Sequence, residues 1–129
     1  MRLIYLFGFC GLVSSAWADG KLSDNIRITS DALGYDLQYR VYAPEGVRRN
    51  AALPTLYITD GQWYISRGEL PQLLDAEIAA GNIEPVVVVF VDSRNPDNLQ
   101  QNRRNQQFFC NPRYVDFFTD ELLPTIDEA

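Results

Sequence analysis

Val86-Val87-Val88-Val89-Phe90-Val91 is apolar at every position. A strand with one wet face alternates apolar and polar residues, whereas this run has no polar face to offer. It predicts a strand covered on both sides, as in parallel sheets flanked by helices. Upstream, Pro54-Thr55-Leu56-Tyr57-Ile58-Thr59 reads as another strand, closed by Asp60-Gly61. Further upstream, Asn25 to Leu33 and Asp36 to Ala43 flank Gly34 and read as an antiparallel hairpin, with Leu37, Tyr39 and Val41 on one face. Pro44-Glu45-Gly46 ends the hairpin, and Val47 to Leu53 reads as an exposed loop.

Helical signals lie between and after these strands. Ser66 and Glu69 have capping-box spacing, Leu70, Leu73, Leu74 and Ile78 share a face, and Gly81 is placed to end that helix. A polar loop is expected from Asp92 to about Cys110, with Asp92, Arg94 and Asp97 as surface charges. Asn111-Pro112 then starts a helix whose apolar face is Tyr114, Phe117, Phe118, Leu122 and Ile126, with Pro124 kinking or ending it. The expected fold class is α/β: an N-terminal hairpin plus the first parallel strands and two helices.

The 129 residues are 47% hydrophobic with a formal charge of −6, a core-forming acidic chain that repels phosphate backbones, so nucleic-acid binding is disfavoured. Met1-Arg2 followed by apolar Leu3 to Val13 and by Ala16-Trp17-Ala18 has the layout of an export signal cleaved after Ala18. The apolar run is short for a bilayer span, so residues 1–18 read as a removed signal and not a stable membrane anchor, a buried first helix being the alternative. The mature part, 19–129, is then exported, periplasmic or secreted. It retains Cys110 alone, which either pairs with a cysteine elsewhere or packs as a small apolar residue. There is no His and no Cys/His cluster, so neither metal nor cofactor is expected.

Two places at the carboxyl edge of the expected sheet carry chemistry. At Tyr57-Ile58-Thr59-Asp60-Gly61-Gln62-Trp63 a strand ends in a turn whose free N–H groups can face a developing negative charge; an ordinary turn explains the same residues. At Asn102-Arg103-Arg104-Asn105-Gln106-Gln107-Phe108-Phe109-Cys110-Asn111 two arginines stand beside amides and aromatics. They suit an anionic or phenolic group, or simply a solvated loop.

Leu56 to Gln62 resembles the strand and Asp-Gly-Gln turn of the enterochelin (siderophore) esterase-like family of α/β-hydrolases. Arg104, Cys110-Asn111 and Asp120-Glu121-Leu122-Leu123-Pro124 are similar to its Arg-to-Cys-Asn loop and following helix. The resemblance covers Asp36 to Ala129 and extends to feruloyl esterases and mycolyl-transfer enzymes. It implies an incomplete α/β-hydrolase sheet, an exported serine-type carboxylic-ester hydrolase using a Ser–His relay, and small-molecule esters as substrates, siderophore or other phenolic esters among them. It implies Gly61 and the Gln62 N–H as oxyanion-hole donors and Arg104, or its neighbour Arg103, as the substrate-binding residue. The G-x-S-x-G elbow is absent. Ser14, Ser15, Ser23, Ser30, Ser66 and Ser93 lack elbow context, so the nucleophile and His are expected beyond Ala129 and the fragment is expected to be inactive. A noncatalytic exported ligand-binding protein of the same fold is the other reading. In this family Pro54 to Thr59 would lie between the fourth and fifth strands, so a fragment lacking the fifth exposes an apolar, aggregation-prone edge.

Overall fold

The structure, a computed structural model, describes residues 20–47 and 51–128. The expected export signal and Arg48, Arg49 and Asn50 of the expected loop lie outside the described residues. The strands are β1 (Lys21–Leu22), β2 (Ile26–Ser30), β3 (Tyr35–Ala43), β4 (Thr55–Ile58) and β5 (Val87–Asp92). They form one sheet in the order β1-β3-β5-β4, with β2 also pairing β3. The hairpin is antiparallel, with Ile26 opposite Tyr39 and Ser30 opposite Tyr35. β5 pairs antiparallel with β3 and parallel with β4, which forms the sheet's edge among the described residues.

The all-apolar strand is covered on both faces. Val89 and Val91 pack with Leu37 and Tyr39 against Tyr114, Phe117 and Leu122 from the C-terminal helices. Val88 and Phe90 pack with Tyr42 against Leu74 on the opposite side. The four side chains Val88 to Val91 are at most 1% exposed. At about 1.5–3 kcal/mol for each large apolar side chain buried, this strand is the main apolar anchor of both layers.

The helices depart from expectation in several places. The chain does not turn freely after β4 but enters α1 (Gly61–Ser66), and α2 (Leu70–Ala79) follows. Ser66 therefore ends a helix, donating its hydroxyl to the Gln62 carbonyl at 2.7 Å, and Glu69 precedes α2 with φ 47 and no side-chain cap. The capping-box spacing is coincidental: the Asp60-Gly61 break restarts the helix earlier. Leu73 is 52% exposed, so the buried face of α2 is narrower than its leucines suggest. Gly81 does close α2: at φ 72 it donates to the Ile78 carbonyl while Asn82 donates to that of Glu77, the paired closure a left-handed glycine permits.

The expected polar loop is structured. It contains a hairpin of β6 (Arg94–Asn95) and β7 (Asn98–Asn102), then α3 (Arg104–Phe108). Amide side chains hide the strand pattern here, because β7 is exposed throughout and needs no apolar face. α4 (Pro112–Asp116) begins as expected, the Asn111 side chain accepting from the Arg113 N–H at 3.1 Å. Pro124 does not end the helix. A π-helical stretch, Phe117–Leu122, precedes α5 (Leu123–Asp127), and this wider turn accommodates a residue that cannot donate backwards.

Candidate functional site

The parallel pair β4 and β5 ends at Ile58 and Asp92, and the candidate residues collect just beyond these ends. Asp60 takes a left-handed conformation (φ 55), which swings the chain into α1. Gly61 is buried against the strand: a Cβ there would stand 2.6 Å from the backbone of Phe90. Only glycine lets α1 lie this close to β5. The Trp63 N–H bonds the Asp60 carbonyl at 3.0 Å. The N–H groups of Gly61 and Gln62, in the first turn, have no carbonyl behind them within the helix.

Gln62 points inward and is 9% exposed. Its Nε2 donates to Ser93 Oγ at 3.0 Å and its Oε1 accepts from the Ser93 N–H at 3.3 Å. Ser93, fully buried, donates its hydroxyl to Asp60 Oδ1 at 2.7 Å. The other carboxylate oxygen of Asp60 stands 3.0 Å from Arg104 Nε. The turn after β4, the end of β5 and the start of α3 are thus joined by side chains.

The two arginines occupy different positions. Arg103 is half-buried, its Nη1 donating to the Asp36 carbonyl at 3.1 Å and its guanidinium lying 4.3 Å from the Tyr35 ring centre. Arg104 is half-exposed beside Asp60, 5.6 Å from the Phe108 ring centre. Arg103 ties α3 to β3, while Arg104 stands at the rim next to the Gly61–Gln62 turn.

Beneath the rim lies a buried polar layer. The Tyr35 and Tyr114 hydroxyls and both amide atoms of Gln107 have no partner among the described residues. Burial pushes the Tyr114 phenol well above its ordinary range, with Tyr35 and then Asp60 adding to the shift. A cleft of about 400 Å³ opens beside this layer, lined by Gln107, Phe108, Cys110, Tyr114 and Val115 among others. Cys110 is exposed there at φ 49, so it is not the buried apolar residue that was one of its two expected roles.

Sequence reasoning missed Ser93, and it misplaced Asp92 and Arg94. Asp92 is 5% exposed and is no surface charge: Gln38 Nε2 donates to it at 2.9 Å and Arg94 Nη2 at 2.7 Å. The hydrogen bond to Asp92 holds the Arg94 guanidinium above its ordinary range. Only Asp97 is exposed as expected, paired with Arg27, whose hydrogen bond pulls its carboxyl below the usual value. The available signal was position: Asp92-Ser93-Arg94 directly follows a strand with no polar face.

Comparison with known proteins follows the same outline. The model of a family described as "Putative esterase" matches residues 30–129. The iron(III) enterobactin esterase of Yersinia enterocolitica is 29% identical over 97 residues, spanning 75% of this chain and 26% of that protein. Among solved structures, the enterobactin esterase of Shigella flexneri superposes with a TM-score of 0.69 at 18% identity, covering 86% of this chain and 26% of that one. The feruloyl esterase module from Clostridium thermocellum gives 0.62 at 18% identity, over 85% of this chain and 36% of that one. At such identities the superpositions speak to the fold, and they match the incomplete α/β-hydrolase sheet expected from the sequence. The chain spans about a quarter of the length of the curated relative it matches.

Proposed function

The chain belongs to the "Putative esterase" family, and from that premise we propose that the complete protein is an exported serine-type hydrolase of carboxylic esters, acting on siderophore or other phenolic esters. The observation that carries this reading is the meeting of the Gly61–Gln62 turn with Arg104 across Asp60, at the carboxyl end of β4 and β5. In open α/β sheets this is where substrates bind.

In the proposed mechanism, the N–H groups of Gly61 and Gln62 serve one side of the oxyanion. A well-aimed donor of this kind is worth about 3–4 kcal/mol of transition-state stabilisation. Arg104 binds the anionic or phenolic part of the substrate, with Phe108 as its apolar backing. The sequence contains no His, so the relay draws its base, and with it the elbow serine, from residues beyond Ala129. Among the serines here, Ser93 is buried and bonded to Asp60, which leaves no room for attack on a substrate. The 129 residues alone are therefore inactive in this reading. Residues 1–18 direct export and are removed, leaving Asp19 as the mature N-terminus.

The test is hydrolysis of a nitrophenyl ester by the product of the complete reading frame, and its loss on substituting the elbow serine by Ala. Unchanged hydrolysis in that variant removes the serine mechanism. A complete frame with neither elbow nor His favours the noncatalytic binder. Arg104→Ala is expected to raise KM for anionic or catechol esters, and an unchanged KM refutes its role.

A further inference from the structure

We propose that Ser93 is the positioning residue of this site: through Asp60, its buried hydroxyl sets where the Arg104 guanidinium stands relative to the Gly61–Gln62 turn. The proposal rests on the reading of Arg104 as the residue that meets the substrate's anionic group.

Every polar atom of Ser93 is engaged. Its N–H donates to Gln62 Oε1, its hydroxyl donates to Asp60 Oδ1 and accepts from Gln62 Nε2, and its carbonyl accepts from the Arg103 N–H at 2.9 Å. It is fully buried, so no ligand touches it and its effect must pass through its neighbours. Asp60 is engaged at both oxygens: Oδ1 accepts the Ser93 hydroxyl, and Oδ2 is ion-paired with Arg104, 3.0 Å from its Nε. A carboxylate with one free oxygen rotates; one fixed at Oδ1 presents Oδ2 in a single direction. Arg104 meets Asp60 through Nε, and its two terminal nitrogens have no partner among the described residues. That end of the guanidinium can pair bidentately with a planar carboxylate.

The same hydroxyl offsets a local cost. Asp60 sits at φ 55, which side chains other than glycine seldom adopt. Without Ser93 Oγ, Asp60 Oδ1 and Gln62 Nε2 both lose a partner, and a buried polar atom without one is strongly disfavoured. The carboxylate then turns toward water and Arg104 turns with it. Arg103 stays in place, because its bonds to the Ser93 carbonyl and the Asp36 carbonyl do not use the hydroxyl.

The test compares Ser93→Ala, Ser93→Thr and Arg104→Ala in the full chain. Salicylate, a phenolic carboxylate, is titrated, and the Nε–H resonance of isotope-labelled Arg104 is recorded without ligand. Ser93→Ala is expected to move that resonance to a solvent-like position and to weaken salicylate roughly tenfold, as Arg104→Ala does. Ser93→Thr, which keeps the hydroxyl, is expected to restore both, and Ser93→Ala combined with Arg104→Ala to bind no more weakly than either alone. A residue that only adds stability would lower the unfolding midpoint and leave the Arg104 resonance in place, and that result overturns the proposal. If Ser93→Ala does not fold, Asp60→Asn carries the test: it is expected to release Arg104 in the same spectrum, and an unmoved resonance overturns the proposal equally. Salicylate affinity unchanged by Arg104→Ala, with a resonance that still follows Ser93, refutes the substrate role of Arg104 while leaving the positioning intact.

Discussion

Gly61→Ala is the sharpest perturbation the fold offers. The added Cβ would lie 2.6 Å from the Cα, C and Cβ of Phe90, in the middle of a strand paired on both sides. None of these is the far end of a flexible side chain, so either β5 or α1 must move. Overpacking of this kind costs about 1–3 kcal/mol. Relief by tilting α1 outward breaks the Gln62–Ser93 pair of bonds instead, each leaving a buried polar group at about 1–3 kcal/mol. The cheaper route, the overpacked one, sets the cost at about 1–3 kcal/mol. With a urea slope of about 1.5 kcal/mol/M, the unfolding midpoint should fall by roughly 0.7–2 M. Urea titration followed by tryptophan fluorescence reads it directly. A Gly61→Ala chain whose midpoint lies within about 0.3 M of wild type would refute the close-approach argument, and with it the claim that glycine is needed there.

Leu56→Lys, on the exposed edge of β4 (Leu56 is 49% exposed), is expected to suppress concentration-dependent self-association in sedimentation velocity; equal association in both chains counts against β4 as the sticky edge. Asp92→Ala strips Arg94 and Gln38 of their shared partner, and a loss of about 2–4 kcal/mol in urea unfolding is expected, scaled down from a fully buried pair because Arg94 is partly exposed. A loss below about 1 kcal/mol would mean water replaces the carboxylate. Alkaline pH should destabilise the chain: burial raises the Tyr42 and Tyr114 phenols above the ordinary value of 10.0, Tyr42 with help from its bond to Asp75. The folded state thus holds these protons more tightly than the unfolded one. The stabilisation is complete below pH 10 and is lost as pH rises toward the folded values, so a urea midpoint unchanged above pH 10 would contradict it.

What the sequence revealed follows the strength of its hydrophobic pattern. β5 was legible because six apolar residues in a row admit one arrangement, and the β2–β3 hairpin because Leu37, Tyr39 and Val41 alternate cleanly. The Asn111 cap was legible because Asn before Pro has a single common use at a helix start. α1 was hidden because its start is set by a tertiary contact, Gly61 against Phe90, and not by any residue pattern. β7 and α3 were hidden because Asn, Gln and Arg give no face to read. At the site, motif resemblance pointed to Gly61, Gln62, Arg103 and Arg104, and all four lie around the same carboxyl edge. The carboxylate and hydroxyl between them were not legible. Asp60 looked like half of a turn and Ser93 like the start of a loop, and only their distance apart, 2.7 Å between side chains 33 residues apart, gives them a role.

The placement of β5 between β3 and β4 has a consequence for how the molecule comes into being. β3 and β4 leave the ribosome early and one after the other, yet neither pairs with the other. Until Asp92 has been synthesised, the hairpin of β2 and β3 is, among the described residues, the only sizeable piece of sheet that can close, and β4 waits without a neighbour among them. The decisive event is therefore late and simultaneous: one apolar strand arrives and joins both waiting partners, and the Asp60–Ser93–Gln62 contacts can form only in that same step. At about 5–20 residues per second, the nascent chain spends a second or more with an unpartnered apolar strand exposed, the interval in which a chaperone would have most to hold.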